Sequence, residues 1–475
     1  MATAEQHSLR ANVLGRADTA MMAVAGSAPA YTIAATTATL VAAVGFGSPA
    51  ALLYCGIPMF GIAWAFSYLG RREVNAGATY VWVGRALHPS LGFLSGWALT
   101  VAAILFMVAG SLPAGSLTLA LFDQGLTANT ALVTLVGAGW FAVMAVVVLL
   151  GAHVTVRTQW VMSGIEVAIL VVFIVIGLIR APHIAVHAFS FSWLGFTHFG
   201  GLSGFASGAL VAAFFYWGWD VTANLNEETK SARRSAGFGG LVGVLIVFAL
   251  FLVFTIMVNM LLSADTITSN SGNLLDVLGQ AIWPGVGGKV LSVAAMLSTV
   301  ATLETTLVQV TRTMFAMGRD RTLAGALGRT GRWRTPWVAT LVVAGIAITL
   351  FVLSNLLGSV GTIMTDAITA IGLQIAFYYG LAGIAVVVSY RHEVFRSVRN
   401  LIFIGLWPLL GAAFLLWVLV ESLATNTALV NAIGLGTLAL GVIPMAIAWR
   451  RRSPYFRRRA NIGTEPAVLA DLQEG

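Results

Sequence analysis

Four acidic residues stand inside long apolar stretches, where carboxyl groups are rare: Glu166, Asp220, Glu304 and Asp366. An ionisable group surrounded by hydrocarbon is costly and usually functional. Desolvation disfavours a charged carboxylate, so such a group can accept a proton near neutral pH. We expect Glu166 or Glu304 to bind and release a proton, and Asp220 to contact a bound small molecule. The alternative is a neutral carboxyl that hydrogen bonds to a neighbouring carbonyl and has no functional role.

Two of the apolar stretches are interrupted near their middles by residues that break helices. Proline lacks the N–H group of the helical ladder, and glycine weakens a helical turn. Irregular backbone at membrane depth is tolerated only where it is buried in protein or lines a cavity. We therefore expect the two interruptions to form a substrate site near the membrane midplane. The predicted substrate-binding residues are Ala25, Gly26, Ser27, Ala28 and Pro29 in the first stretch and Tyr216, Trp217, Gly218, Trp219 and Asp220 in the sixth.

The chemistry of a broken helix suits a small molecule that carries both charges. The free N–H groups near Ser27, Ala28 and Ala30 and the half-helix dipole attract a carboxylate, whereas free carbonyl groups attract an ammonium. The aromatic residues beside Gly218 can stack on a substrate or make a cation–π contact. For the first stretch, the competing interpretation is a simple proline kink that binds nothing. For the aromatic residues of the sixth, it is ordinary packing within the bundle.

Three hydroxyl residues, Ser298, Thr299 and Thr302, lie close to Glu304. Their hard oxygen atoms are ligands that sodium would accept, although serine and threonine also bridge membrane helices. Cys55 is the only cysteine, so the sequence predicts neither an intrachain disulfide nor a thiolate metal site. No cluster of nucleophile, base and metal ligands is recognisable. We expect no cofactor, no metal and no enzymatic activity.

The elements that must position these residues are membrane helices. Of the 475 residues, 58% are hydrophobic and 9% are charged, whereas a soluble domain has roughly 25% charged residues. Apolar stretches long enough to cross the bilayer recur along the chain. Twelve helices are predicted at 17–44, 49–69, 89–121, 130–150, 157–179, 202–225, 238–262, 287–316, 336–357, 361–389, 401–421 and 428–449.

The distribution of basic residues predicts the orientation of these helices. With the N-terminus inside, every lysine and arginine except Arg180 and Lys289 falls on the cytoplasmic side. This bias is the positive-inside pattern, and it predicts a cell-membrane protein with both termini in the cytoplasm. The net charge of +8 therefore reports topology rather than a nucleic-acid partner. The predicted parts are a tail at 1–16, a transmembrane permease domain at 17–449 and a tail at 450–475.

Four stretches resemble the amino acid–polyamine–organocation superfamily of permeases, which have the leucine-transporter fold. They are AGSAPAYTI in the first helix, NAGATYVWVGRALHPSLGFLSGW before and within the third, FFYWGWDVTANLNEETKSARR in the sixth, and LETTLVQVTRTMFAMGRDR in the eighth.

The resemblance implies a five-plus-five inverted repeat with broken first and sixth helices. Repeat one is expected at about 17–179, repeat two at about 202–389 and two extra helices at about 401–449. It also implies a substrate-carboxylate loop around Gly26 and an aromatic gate at Trp219 or Tyr216. The chain departs from the family pattern at Ala28 and Pro29. It also has Glu166 where many relatives have a lysine.

These observations predict an all-α carrier that imports amino acids or related amines, with a proton as the coupling ion. A polyamine or other organocation carrier, an amino acid exchanger and a sodium symporter remain alternatives. A membrane enzyme and a channel fit less well. The expected partners are the small-molecule substrate, a proton or sodium, and the lipid bilayer.

Overall fold

The protein is a bundle of long, mostly apolar helices. A computed structural model describes residues 8–235, 237–354 and 360–457. Within these residues, ten apolar segments are long enough to cross a membrane, and there is no β-sheet. The longest of them, Arg16–Arg72, runs through two predicted crossings, and the shorter apolar helix Leu202–Phe215 begins another. The arrangement is consistent with the twelve predicted crossings.

The principal helices broadly follow the predicted boundaries, but three of them are divided. The first predicted helix is divided into α1 and α2, the sixth into α8 and α9, and the twelfth into α16 and α17. The predicted ninth helix, 336–357, and the two predicted tails are described only in part, because residues 1–7, 355–357 and 458–475 lie outside the described residues. The helices are α1 Arg16–Ser27, α2 Pro29–Val44, α3 Ser48–Arg72, α4 Thr79–Ala86, α5 Pro89–Ala120, α6 Thr130–Leu149, α7 Ala152–Ile184, α8 Leu202–Phe215, α9 Val221–Asn224, α10 Phe238–Leu261, α11 Leu274–Ile282, α12 Gly287–Arg319, α13 Trp337–Ser354, α14 Val360–Ser389, α15 Trp407–Thr425, α16 Ala428–Leu440 and α17 Val442–Arg450.

Helix α12 forms the centre of the bundle. It packs against α1, α2, α5 and α7, and most of its side chains are buried, including the polar ones. The last two helices, α16 and α17, lie at the periphery and expose most of their apolar side chains. Polar residues are therefore concentrated around α12, where the two broken helices also lie.

Both ends of the described chain lie at the same end of the bundle, which we call the terminal face. Leu14 pairs with Thr229 in an isolated bridge, and the neighbouring Glu227 binds Arg319 at the end of α12. Near the other end of the chain, Ser453 donates a hydrogen bond to the carbonyl oxygen of Asp320 at 2.8 Å. An even number of crossings accounts for this arrangement.

Candidate functional site

The first crossing is broken at a single residue, Ala28. Its φ of 47° and ψ of 64° place it in the left-handed region, and its N–H donates to the carbonyl oxygen of Ala25 at 3.2 Å. Pro29 then begins α2, at the first helical position where its missing N–H group costs least. The predicted interruption is therefore present, and it is very short.

The second break spans the five residues between α8 and α9. Gly218 has a φ of 96° and lies directly against Gly26 of the first break. A Cβ atom on Gly218 would overlap the carbonyl oxygen of Gly26, and a Cβ atom on Gly26 would overlap that of Gly218. Glycine is needed at both positions because the two backbones touch. The structure thus brings together the two interruptions that lie 192 positions apart in the sequence.

The N-terminus of α2 is occupied by two groups of the protein. The Ala30 N–H donates to Oε1 of Glu166 at 2.8 Å, and the Tyr31 N–H donates to the hydroxyl oxygen of Ser298 at 3.1 Å. Both acceptors are fully buried. A carboxylate at a helix N-terminus is stabilised by the free N–H groups and by the helix dipole. The Glu166 carboxyl therefore occupies the position at the first break where a substrate carboxylate was expected.

The C-terminus of α1 is contacted by a hydroxyl group of α12. Thr302 donates a hydrogen bond to the carbonyl oxygen of Ala25 at 2.8 Å. Thr299 donates instead to Ala295 within its own helix, at 2.7 Å. Of the three hydroxyl residues predicted as a cation site, Ser298 and Thr302 thus touch the break directly, one on each side of Ala28.

Glu304 lies in a second buried network between α12 and α7. Its Oε2 accepts a hydrogen bond from the side-chain amide of Gln159 at 2.6 Å, and the same amide donates to the carbonyl oxygen of Ala301 at 2.9 Å. Ser163 completes the network by donating to Oε1 of Gln159 at 3.1 Å. Among the described residues, neither Glu166 nor Glu304 forms a salt bridge.

Asp220 follows the second break and binds residues of two other helices. Its Oδ2 accepts hydrogen bonds from Gln309 of α12 at 2.8 Å and from the Tyr378 hydroxyl of α14 at 3.0 Å. The indole N–H of Trp217 donates to the same Tyr378 hydroxyl at 2.7 Å. The carboxylate, the phenol and the indole therefore form one buried polar cluster at the second break.

Tyr216 and Trp219 pack among neighbouring helices. The Tyr216 hydroxyl donates to the carbonyl oxygen of Leu52 at 2.7 Å, and the Trp219 indole donates to the carbonyl oxygen of Tyr216 at 2.9 Å. Trp219 also makes an edge contact with Phe66, with ring centroids 5.1 Å apart, and a tilted contact with Tyr379, with ring centroids 5.6 Å apart. Both aromatic residues thus hold the break in place, and their role in binding a substrate stays a prediction.

A cavity of about 280 Å³ lies on the side of the breaks that faces away from the terminal face, between α2, α8, α14 and α15. Hydroxyl groups of Thr36, Thr39, Ser207 and Ser422 contribute to its wall, and Phe214 separates it from the second break. It is large enough for a small solute. None of the predicted substrate-binding residues lines this cavity, and Gly26 and Gly218 lie in the packed region where the two breaks meet. The side chain of Asp366 lies outside the described residues.

The sequence matches the model of the amino acid permease family over residues 14–445. The chain belongs to this family. Its relatives include a branched-chain amino acid permease of Lactococcus lactis, 24% identical over 388 residues that cover 74% of this chain and 82% of the relative. A low-affinity putrescine importer of Escherichia coli is 24% identical over 70% of this chain and 71% of the importer. A serine/threonine exchanger of Bacillus subtilis is 25% identical over 47% of this chain and 50% of the exchanger.

Family membership makes this permease a multi-pass membrane transporter of the amino acid and amine class. Its terminal face is closed by ion pairs that the sequence alone did not reveal. Arg312 binds both carboxylate oxygens of Glu228, at 2.9 and 3.2 Å, and both side chains are almost completely buried. Arg319 binds Glu227 at 2.8 Å nearby. The permease therefore has the 280 Å³ cavity on one side of the breaks and these ion pairs on the other.

Sequence reasoning also missed the polar partners of the predicted carboxylates. Gln159 and Ser163 precede Glu166 by seven and three residues, so all three lie on one face of α7. That spacing was a usable signal for a buried polar face. Tyr378, the partner of Asp220, lies beside Tyr379 and four residues after Gln374. Nothing in that pattern indicates a contact with Asp220, 158 positions earlier in the chain.

Proposed function

We propose that this permease is a secondary active importer of an amino acid or related amine, driven by a proton gradient. The substrate binds where the first and sixth crossings are interrupted, and access alternates between the two sides of the bundle. We place the protein in the cell membrane with its terminal face in the cytoplasm, because its basic residues follow the positive-inside pattern.

The observation that carries this proposal is the contact between the two breaks at Gly26 and Gly218. Two interrupted helices that meet in the core of a membrane bundle are the usual setting of a transporter site. The cavity on one side and the buried Arg312–Glu228 pair on the other support a carrier with one closed gate. A channel would need a path open to both sides.

Proton coupling is supported by the positions of Glu166 and Glu304. Glu166 contacts the first break directly. Glu304 lies two residues after Thr302, which also contacts the first break. Because no buried cation neutralises them among the described residues, uptake of a proton is the simplest way to remove their charge. A change in the geometry of the first break would then change their affinity for protons.

A substrate without a carboxylate is the second candidate, and one observation favours it. The Ala30 and Tyr31 N–H groups already bind Glu166 and Ser298, so a substrate carboxylate would have to displace them. Asp220 would also favour a positively charged substrate. Uptake of putrescine and of neutral amino acids should therefore be measured side by side in proteoliposomes.

The coupling proposal is tested with Glu166→Gln and Glu304→Gln. Each variant is compared in two assays, accumulation driven by an imposed proton gradient and counterflow of substrate without a gradient. A coupling residue should lose the first activity and retain some of the second. Asp265→Asn, which removes an exposed carboxylate on the short helix Ala264–Ser269, is the matched control and should retain both.

Full proton-driven accumulation in both glutamine variants would refute the assignment of the proton to these carboxyls. Sodium would then be the better coupling ion, with Ser298 and Thr302 as its ligands. In that case accumulation should follow an imposed sodium gradient, and Ser298→Ala should abolish it.

A further inference from the structure

The last described residues of the chain fold back onto the terminal face. After α17, residues Ser453–Arg457, which we call the C-terminal segment, include a single helical turn, Pro454–Arg457. Segments near the end of a chain are loosely held unless a specific contact fixes them. In this segment, Tyr455 is only 6% exposed.

Tyr455 fills a pocket built for a phenol ring. Its ring stacks on that of Tyr80 with centroids 4.5 Å apart and planes 11° apart, and its hydroxyl donates to the carbonyl oxygen of Tyr80 at 2.8 Å. Gly84 of α4 and Gly92 of α5 form the floor. A Cβ atom on either glycine would overlap the phenol oxygen. The ring therefore fits because both helices present bare backbone at this point.

Two further contacts hold the C-terminal segment in place. The Ser453 hydroxyl donates to the carbonyl oxygen of Asp320 just beyond α12, at 2.8 Å. Phe456 lies against Phe93 of α5, with ring centroids 6.3 Å apart. The segment thus bridges α4, α5 and the end of α12.

The same pocket wall belongs to the closed gate. The Asn224 side chain donates to the carbonyl oxygen of Ala76 at 2.7 Å, and the Ala76 N–H donates to Glu227 at 2.9 Å. Four residues further along, the Tyr80 hydroxyl donates to Asp320 at 3.2 Å. Residues 76–80 are therefore held on one side by the inner half of the sixth crossing and on the other by Tyr455.

We propose that the C-terminal segment is a latch that stabilises the permease in the state closed at its terminal face. With Tyr455 in its pocket, α4 stays against α5 and α12, and the loop before α4 keeps its hydrogen bonds to Asn224 and Glu227. Release of the segment frees α4 and favours opening at this face. The segment thereby sets the balance between the two states, independently of which substrate or ion is carried.

The latch is tested by the reactivity of a buried cysteine near the closed gate. Ala223 on α9 is 6% exposed, and Ala223→Cys in a Cys55→Ala background gives a single reporter thiol. Its labelling rate by a water-soluble maleimide is measured in purified full-length protein in nanodiscs, which leave both faces accessible. The same measurement is made on a chain truncated after Arg452, on one truncated after Arg457, and on Tyr455→Ala.

The truncation after Arg452 and Tyr455→Ala should both increase the labelling rate by about tenfold or more, because the loss of a buried ring and its hydrogen bonds strongly favours opening. The truncation after Arg457 leaves the segment intact and should label at the full-length rate. An exposed reporter, Arg233→Cys, should label equally in all chains and serves as the control for reagent access.

Equal labelling of Ala223→Cys in the full-length chain and in both variants without the Tyr455 ring would overturn the latch. Equal acceleration by both truncations would overturn it as well, because the effect would then belong to residues after 457. Tyr455→Phe, which keeps the stacked ring, separates gating from misfolding. It should give a labelling rate between those of full-length protein and Tyr455→Ala, whereas a rate as fast as that of Tyr455→Ala, with an unchanged melting temperature, would contradict the role of the stacked ring.

Discussion

Replacing Gly218 by alanine should disable the permease, because the new methyl group has no space. The substitution meets two costs. Alanine in a sparsely populated backbone conformation such as the φ of 96° costs about 1–3 kcal/mol, and overpacking adds about 1–3 kcal/mol. The clash is with the backbone carbonyl of Gly26, which cannot rotate away as a side chain can. We expect a total loss of about 2–6 kcal/mol in stability or in the population of the closed contact between the breaks.

The assays are thermal unfolding of the purified protein and substrate counterflow in proteoliposomes, both normalised to the amount of folded protein. The matched control is Gly345→Ala, because Gly345 lies in α13 with open space around its Cα and an exposed surface. Alanine favours a helix over glycine by about 0.5–1 kcal/mol, so this control should be neutral or slightly stabilising. If Gly218→Ala keeps both its melting temperature and its counterflow activity, the close contact of the two breaks is not required.

Three further predictions concern the gate, the orientation and the second break. Glu228→Gln should destabilise the protein by about 3–5 kcal/mol in thermal unfolding, because it leaves the buried Arg312 guanidinium without its counter-charge; an unchanged melting temperature would contradict this. In intact cells, an impermeant maleimide should label Phe122→Cys but not Ser231→Cys, and the reverse pattern would invert the topology. Trp219→Ala should lower counterflow at least tenfold per folded molecule, and normal counterflow would exclude this indole from the site.

The sequence was sufficient to predict where the helices break, because the breaking residues act locally. Pro29 lacks the N–H group that would continue the hydrogen bonding of α1. Gly218, between two tryptophans, interrupts a helix at membrane depth, where broken backbone must be buried in protein or line a cavity. It was insufficient to predict what the free backbone groups bind. Ala30 and Glu166 are 136 residues apart, and only tertiary packing joins them. The sequence predicted that the free N–H groups of α2 would bind a substrate carboxylate. It could not indicate that a side chain of the protein binds there.

The pattern of basic residues predicted the topology, but it did not indicate which of these residues form ion pairs. Arg312 was assigned to the cytoplasmic set of basic residues, and the structure does place it toward the terminal face. However, it is fully buried and bound to Glu228, 84 positions earlier in the chain. Surface and buried arginines have the same sequence signal when both lie near helix ends. Only the packing of α12 in the centre of the bundle distinguishes them.

Because the first crossing is broken at the single residue Ala28, a rotation of α1 as a rigid body would be centred on that residue. The helix has 12 residues and is therefore about 18 Å long. A rotation of about 20° at Ala28 would displace its far end by about 6 Å, while the atoms beside Gly26 would hardly move. At that far end, the Trp160 indole donates to Asp18 at 3.0 Å. A change of two dihedral angles at the proposed substrate site would thus move the far end of α1 far enough to break this hydrogen bond.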